Sequence, residues 1–508
     1  MTGSISRFKL GLFLGATACA LAQSPGAFTA TGSMISPRAN HTATLLNNGK
    51  VLVTGGQFSP GGSGNFIVSV LSSAELYDPS TGSFAATGNM SCARVGHTAT
   101  LLATGQVLIA GGQDADFREL SAELYDPSTG TFTATGSMTA ARAGHTATLL
   151  NDGKVLLTGG FTVPPKGELV ALLDSAEIYD PSTGTFIPTV NMNQARAGHS
   201  ATLLSNGTVL IDGGNSQGFL SGEIYDPADG TFRKVVGTPY DNSWPPEGPS
   251  SATLLPAGNV LFTLVDQDPE TGTDSGDTTR STALYNPSTV TFSPAPDLTE
   301  GWVRTATLLG DGTVFIAGLN YSYGLPNFTS HADVYDPVVG TVTATGNMIA
   351  GRISHTATLL PDGTVLVAGG AEPDLHGIGG PWSWFGTAEL YLPTTLIPSP
   401  VLSSLAGGMQ GAIWHNTTGQ LASPSSPAVA GEVLAMYTNN LIEGGVIPPQ
   451  VIIGGHLAEV LYFGDAPGYP GFFQVNFRVP NGVAPGSAVS VRLTYIERPS
   501  NQVSVALQ

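Results

Sequence analysis

The sequence is poor in charged residues, and most of the charge it carries is negative. Charged side chains make up only 11% of 508 residues, with 18 basic against 37 acidic and a formal net charge of −19. Because an acidic surface repels phosphate backbones, nucleic acid is not expected as a partner. The low charge also argues against long charged helices, whereas 66 glycines and 36 prolines favour many short strands joined by tight turns.

Long apolar runs are almost absent, and the one near the start has the features of an export signal. Arg7 and Lys9 precede an apolar stretch at 10–21, which is too short to span a bilayer. Ala20-Leu21-Ala22 supplies a small-residue cleavage site, so residues 1–22 are predicted to be a signal peptide. No later segment is apolar enough to span a membrane, and we expect a secreted or cell-surface protein.

Cysteine is also scarce, since Cys19 and Cys92 are the only two. Ala16-Thr17-Ala18 before Cys19 is a weak match to a lipoprotein signal, which favours soluble export over lipid attachment. Signal cleavage would leave Cys92 alone and exclude an intramolecular disulfide.

One pattern recurs along most of the chain: Arg-x-x-His-Thr-Ala-Thr-Leu-Leu, a glycine turn, Val-Leu-x-x-Gly-Gly, a variable loop, then Ala-Glu-Leu-Tyr-Asp-Pro-Ser-Thr-Gly-Thr-Phe. The histidine position recurs every 48 to 56 residues, at His41, His97, His145, His199, Ser250, Arg304 and His355. A period near 50 residues predicts propeller blades of four strands each, here called a, b, c and d. The tyrosine that recurs in strand c is interpreted as core packing, and the histidines as structural rather than metal-binding.

Arg and Glu occur in the same repeats, which predicts buried ion pairs. The arginines are Arg38, Arg94, Arg142, Arg196 and Arg352, and the acids are Glu75, Glu123, Glu177, Glu223 and Glu389. The fifth repeat has lost both, with Glu247 and Ala283 at the two positions, whereas the sixth has Gly301 and keeps an acid, Asp333.

The last repeat lacks its fourth strand, and that strand is found at the start of the chain as Ala27-Phe28-Thr29-Ala30-Thr31-Gly32. The N-terminal strand should therefore complete the seventh blade and close the ring. We expect an all-β protein: a seven-bladed propeller at 23–396, then an immunoglobulin-like β-sandwich at 397–508.

These motifs resemble the kelch-repeat, galactose-oxidase-like propeller superfamily, and the end of the chain resembles an immunoglobulin-like module of secreted bacterial proteins. Copper-radical oxidases of that superfamily use two tyrosines, two histidines and a cysteine crosslinked to a tyrosine, with one histidine in an Arg-x-Tyr-His motif. The counterpart here is Arg352-Ile353-Ser354-His355, in which Ser354 replaces the tyrosine. The oxidase residues are not matched, so no catalytic residue is assigned and copper is not expected.

The b–c and d–a connections are long and variable and share one face, where binding usually occurs on a rigid scaffold. The candidate ligand-binding aromatics in them are Tyr240, Trp244, Trp302, Tyr321, Tyr323, Trp382, Trp384 and Phe385. An acidic loop offers a weak calcium site, although a simply solvated loop is the favoured interpretation. Its carboxylates are Asp266, Asp268, Glu270, Asp274 and Asp277.

The sequence therefore favours a secreted, monomeric protein that binds an extracellular carbohydrate or protein through the b–c/d–a face. Two alternatives stay open. One is a propeller enzyme, such as an oxidase, hydrolase or lyase, and the other is a structural cell-surface module.

Overall fold

The computed structural model describes residues 26–59, 68–114, 121–162, 170–214, 222–235, 249–264, 282–299, 305–318, 330–372, 383–405 and 408–508. The side chains of Pro249, Ser250 and Leu264 are not described. These residues form strands and turns, and they contain no helix.

Seven four-stranded antiparallel sheets form the propeller, each with its strands in the order a, b, c, d. The strands of blades 1 to 3 are Thr42–Leu45, Val51–Thr54, Ala74–Asp78 and Ser83–Ala86; Thr98–Leu101, Val107–Ala110, Glu123–Asp126 and Thr131–Ala134; and Thr146–Leu149, Val155–Thr158, Ala176–Asp180 and Thr185–Pro188. Those of blades 4 to 6 are Ser200–Leu203, Val209–Asp212, Glu223–Asp226 and Thr231–Lys234; Pro249–Leu254, Val260–Leu264, Thr282–Asn286 and Thr291–Pro294; and Thr305–Leu308, Val314–Ala317, Ala332–Asp336 and Thr341–Ala344.

Blade 7 closes the ring as predicted. Its strands a to c are Thr356–Leu359, Val365–Ala368 and Ala388–Leu392, and its fourth strand is Ala27–Ala30 from the other end of the propeller. Ala27 pairs with Leu392 and Ala30 with Glu389. The Phe28 ring lies 5.2 Å from that of Tyr391 and 5.9 Å from that of Phe315.

Burial changes regularly across each blade. Strand b is apolar and buried throughout, as in Val51–Thr54, whereas strand d is mostly exposed, as in Ser83–Ala86. The cores lie between blades: Val51 and Tyr77 of blade 1 pack in one cluster with Leu366 of blade 7. Each blade therefore depends on both neighbours, as expected for a closed array.

Three b–c connections begin as short two-stranded hairpins. They are Gln57–Phe58 with Ser69–Val70, Phe161–Thr162 with Ala171–Leu172, and Ala371–Glu372 with Ser383–Trp384. Isolated bridges join the start of these connections to the preceding d–a connection, as between Ala39 and Gln57 and between Ile353 and Ala371. The two sets of connections thus lie together on one face of the propeller.

The C-terminal module is one curled sheet of eight strands, numbered here β1 to β8. They are Ile413–His415, Val433–Thr438, Gln450–Ile453, His456–Asp465, Phe473–Arg478, Gly486–Tyr495, Arg498–Pro499 and Val503–Leu507. The order is β1-β2-β5-β4-β3-β6-β7, and β8 also pairs with β6. The long strand β4 pairs with β5 along one half and with β3 along the other, so the sheet folds over an apolar core. This arrangement is sandwich-like, and it agrees with the immunoglobulin-like prediction only in that loose sense.

The module lies against the a–b turns, on the opposite side from the b–c and d–a connections. Val446 N donates to Pro256 O at 2.8 Å, and Arg492 donates to the carbonyl of Asn47. The hairpin between β6 and β7 reaches the propeller as well. Arg498 donates to the carbonyl of Ile397 in the linker, and Ile496 packs against blade clusters that contain Leu309 and Val314.

Candidate functional site

Most of the predicted binding aromatics cannot be placed. Tyr240, Trp244, Trp302, Tyr321, Tyr323 and Trp382 lie outside the described residues, as do the predicted calcium ligands Asp266, Asp268, Glu270, Asp274 and Asp277. Trp384 and Phe385 are described, and both lie on the b–c hairpin of blade 7.

These two aromatics are half-buried. The guanidinium of Arg352 lies 5.2 Å from the centroid of the Phe385 ring, a cation–π contact that indicates a packing role for Phe385. Trp384 pairs with Ala371 across the hairpin, and its indole N–H is buried without a hydrogen-bond partner among the residues that the structure describes.

Two exposed isoleucines flank this hairpin in the d–a connections on either side. Ile349 is 62% exposed and Ile35 is 65% exposed. The corresponding residues entering blades 2 to 4 are the polar Ser91, Thr139 and Asn193. Among the described residues, the d–a connections beside the blade 7 hairpin therefore carry an apolar residue where those entering blades 2 to 4 carry a polar one.

The arginines and glutamates form the predicted ion pairs. Nη2 to Oε1 distances of 2.5 to 3.1 Å join Arg38 to Glu75, Arg94 to Glu123, Arg142 to Glu177, Arg196 to Glu223 and Arg352 to Glu389. All ten side chains are at most 2% exposed. Burial at this level excludes them from direct contact with a macromolecular ligand.

Each pair also fixes the d–a connection. Arg38 donates to the carbonyls of Gly55 and Ser73, at 2.9 and 3.1 Å. Glu75 accepts the backbone N–H groups of Ile35 and Ser36, at 2.7 and 3.1 Å. The pair therefore satisfies backbone groups at the crossing from one blade to the next.

The histidines form a second network between blades. Nε2 of His97 lies 3.1 Å from Oγ1 of Thr42 in the preceding blade, and the same contact joins His41 to Thr356 at 3.1 Å. Equivalent bonds are made by His145, His199 and His355 to Thr98, Thr146 and Thr305. Nδ1 of His355 donates to the Arg352 carbonyl at 3.1 Å, so the Nε2 of its neutral ring accepts from the threonine hydroxyl.

Burial disfavours the charged form of four of these histidines, His41, His97, His145 and His199. It lowers the pKa of His97 and of His199 from 6.5 to about 3, with a smaller contribution from the positive charges of Arg94 and Arg196. The pKa values of His41 and His145 are lowered for the same reason. In His355 Nδ1 carries the proton and Nε2 accepts from the threonine, so neither ring nitrogen offers a free lone pair to a metal ion. Nδ1 of His41, His97, His145 and His199 is buried without a hydrogen-bond partner among the described residues.

This network predicts acid sensitivity. In the unfolded chain His97 and His199 would titrate near 6.5, so between about pH 6.5 and about pH 3 the unfolded state binds more protons. Stability is therefore expected to fall as the pH drops through that window and to be fully restored above it. Thermal unfolding as a function of pH measures the effect. His97→Gln should flatten the curve, whereas substitution of the exposed His456 by Gln should leave it unchanged.

The backbone conformation of the residue before each histidine explains why the tyrosine of the Arg-x-Tyr-His motif is absent here. Asn40 and Ser354 adopt φ values of 53° and 54°, and Gly96, Gly144 and Gly198 have positive φ as well. Their backbone groups bond from blade to blade, with Asn40 N donating to Ser354 O and Gly144 N to Gly96 O, at 3.0 and 2.8 Å. A bulky tyrosine is strongly disfavoured in this left-handed conformation.

Blades 5 and 6 depart from the pattern. Ala283 replaces the glutamate in blade 5 and is buried. In blade 6, Asp333 accepts hydrogen bonds from Oγ1 and N of Thr299, at 2.6 and 3.2 Å, and lies 3.2 Å from Nε2 of His331. Asp333 therefore still holds the d–a connection, as Glu75 does in blade 1.

Copper is the metal that the fold suggests, and the described residues do not fit a copper centre. The histidine Nε2 atoms are bonded to threonines, and the c-strand tyrosines are buried between blades; for example, Tyr77 Oη lies 2.9 Å from Thr31 Oγ1. Cys92 is half-buried beside Ser91. The described ranges contain no cluster of three or more potential metal ligands.

Sequence reasoning missed the hairpin that joins the module to the propeller. Ile496 and Glu497 form its two-residue turn with φ values of 51° and 60°, a conformation rarely adopted by β-branched residues. Ile496 packs against core clusters of blades 5 to 7. The Glu497 side chain is exposed at the surface. The protein atoms around it partly desolvate the carboxyl group, which raises its pKa. The strain is not visible in the sequence, since Tyr-Ile-Glu-Arg lacks the Asn-Gly or Asp-Gly typical of such turns.

The chain matches no protein-family profile and no curated protein sequence. Among solved structures it resembles a fungal alcohol oxidase of the AA5 family in complex with copper. The TM-score is 0.58 and the sequence identity 16%, over 96% of this chain and 100% of that one. In the part of the chain that is described, no helix is long and apolar enough to cross a membrane. This likeness shows a shared fold, which in this chain is a seven-bladed β-propeller.

Proposed function

We propose that this protein is exported and binds an extracellular carbohydrate through the b–c/d–a face of its propeller. The observation that carries the proposal is the construction of that face. Buried Arg–Glu pairs fix the d–a connections, which in turn hold the b–c hairpins, so variable loops stand on a rigid base. A protein ligand and a purely structural surface role are the alternatives.

The region around blade 7 is the best described part of this face. It presents Trp384 between the exposed Ile349 and Ile35, and aromatic and apolar side chains of this kind stack against sugar rings. Trp382 and the other predicted binding aromatics outside the described residues belong to the proposal as sequence predictions.

A glycan array probed with the full chain tests the proposal. We expect binding by the wild type and clear loss of signal in a Trp382→Ala/Trp384→Ala variant. Val338→Ala serves as the control, because Val338 is 92% exposed but lies in a c–d turn away from this face. Absence of wild-type binding would remove the support for a carbohydrate ligand, and unchanged binding in the double variant would place the ligand elsewhere.

The enzyme alternative rests on the likeness to the copper-containing alcohol oxidase. Metal analysis of the purified protein, with an assay for peroxide released from primary alcohols, distinguishes a binding protein from an oxidase. We expect substoichiometric copper and no peroxide. Stoichiometric copper with peroxide release would overturn the binding proposal in favour of an oxidase.

A further inference from the structure

The curled sheet of the C-terminal module presents a row of aromatic and amide side chains on its outer face. Cross-strand partners share a face of a sheet, and the register pairs Trp414 with Ala435, Ala435 with Asn476, and Asn476 with Tyr462. The adjacent row pairs Tyr437 with Gln474. The alternate residues of these strands, such as Met436 and Val475, form the module core.

The aromatic rings of this face contact one another. The Trp414 and Tyr437 centroids are 5.3 Å apart at an interplanar angle of 80°, and Tyr437 and Tyr469 are 5.9 Å apart at 60°. Tyr462 lies across the neighbouring Gly464, where an added Cβ would stand 2.9 Å from its Oη. Tyr462 is 45% exposed and Tyr469 is 61% exposed. We call these four aromatics, with Gln474 and Asn476, the aromatic strip.

The amides supply hydrogen-bonding groups between the rings. Gln474 Nε2 donates to Asn476 Oδ1 at 2.8 Å, which fixes the orientation of both side chains. The Gln474 carbonyl oxygen and the Asn476 NH₂ group have no partner among the described residues, so an acceptor and a donor lie side by side on the strip. A vicinal pair of sugar hydroxyls can donate to the one and accept from the other.

The charge of the strip selects the class of ligand. The charged side chains of the adjoining row, Arg478 and Glu459, pair with each other at 2.8 Å, so their charges compensate. The chain as a whole carries −19, which disfavours anionic polymers and anionic lipid surfaces. Aromatic faces combined with amides and one compensated ion pair complement a neutral, polyhydroxylated chain.

The strip is also free of the propeller. Where strand β4 approaches the blades, Leu457 Cδ1 lies 3.7 Å from the Cβ position of Gly153. Tyr462 lies five residues further along β4, roughly 16 Å away at about 3.3 Å per residue. The other described contacts with the blades come from Arg492 of strand β6 and from the loop and hairpin near Val446 and Arg498.

We infer that the aromatic strip of the C-terminal module is a second binding site and that it takes a neutral polysaccharide chain. The site is independent of the face proposed on the propeller. The rings stack against the apolar faces of successive sugar units, and the Gln474–Asn476 pair bonds to hydroxyl groups between them.

Native affinity electrophoresis of the full chain tests this inference. The gels contain hydroxyethyl cellulose, galactomannan or xylan as neutral polysaccharides, or alginate as an anionic one. We expect retardation by at least one neutral polysaccharide, with about tenfold weaker binding in Tyr462→Ala and in Tyr469→Ala. Both side chains are exposed, so these variants should keep the thermal stability of the wild type. Tyr462→Phe should retain most of the binding because it retains the ring.

The outcomes separate the two proposed sites. Retardation lost in Trp384→Ala but kept in Tyr462→Ala would overturn the inference and favour the propeller face instead. Retardation by alginate alone, or by none of the four polymers, would also overturn it. Size-exclusion chromatography tests whether a second copy of the chain binds to the strip instead. If the wild type is a dimer and Tyr462→Ala is a monomer, a second copy covers the strip and the inference is contradicted.

Discussion

Arg142→Met should destabilise the protein by about 3–5 kcal/mol, because it leaves the buried carboxylate of Glu177 without its cation. Arg142 is 1% exposed, and its guanidinium donates to Glu177 at 2.9 and 3.1 Å and to the carbonyls of Gly159 and Ser175 at 2.7 and 3.0 Å. Thermal and urea unfolding of the full chain measure the loss.

Two matched variants test the cause. Arg142→Met/Glu177→Met removes both charges and should recover part of the lost stability, since an apolar pair of similar volume replaces the ion pair. Lys154→Met removes a surface cation that lies 3.8 Å from Asp180 and is 42% exposed, and it should change stability little. If Arg142→Met unfolds like the wild type, the buried pairs do not stabilise the blades.

Phe28→Asp is expected to have the second large effect, because it places a charge among the rings that close the propeller. Phe28 packs against Tyr391 and Phe315, and strand Ala27–Ala30 contributes the fourth strand of blade 7. Placing an unpaired carboxylate there costs several kcal/mol, and release of the strand would expose the edge of strand c. We expect a lower thermal midpoint and a greater tendency to aggregate, measured by scanning calorimetry and light scattering.

The neighbouring residue provides the control. Thr29 lies in the same strand but is exposed, so Thr29→Asp introduces the same charge without burying it. Thr29→Asp should behave like the wild type. Equal loss in both variants would mean that charge in the strand, rather than its packing on Tyr391, causes the effect.

The propeller could be predicted because each of its strand motifs recurs in several repeats. The alternation in His-Thr-Ala-Thr-Leu-Leu, the glycine turns and the missing strand after Tyr391 together predict seven blades and their closure. The pairing of Arg with Glu could also be predicted, since a buried charge requires a partner. The partner of the histidines could not, because Thr42 and His97 meet only when adjacent blades pack.

The C-terminal module was less predictable. Its longer strands follow from apolar alternation, but Ile413–His415 and Arg498–Pro499 are too short to give a pattern. The aromatic strip depends on cross-strand register, which joins Trp414 to Tyr462 over 48 residues of sequence through two intervening strands. The candidate face on the propeller was recognised from loop lengths, and its chemistry depends on loops whose side chains lie mostly outside the described residues.

The pairing of the closing strand is also related to the number of blades. The d strands of several blades carry nearly the same sequence, such as Thr131–Ala134 and Ala27–Ala30, so the first strand would fit the c strand of many blades. Six of the seven c strands, all of which are described, are followed by a tight turn and their own d strand. Ala388–Leu392 is followed instead by Pro393, so this c strand has no d strand after it in the sequence. The first strand therefore pairs with the one c strand that lacks a d strand of its own, so the incomplete seventh repeat determines where the ring closes.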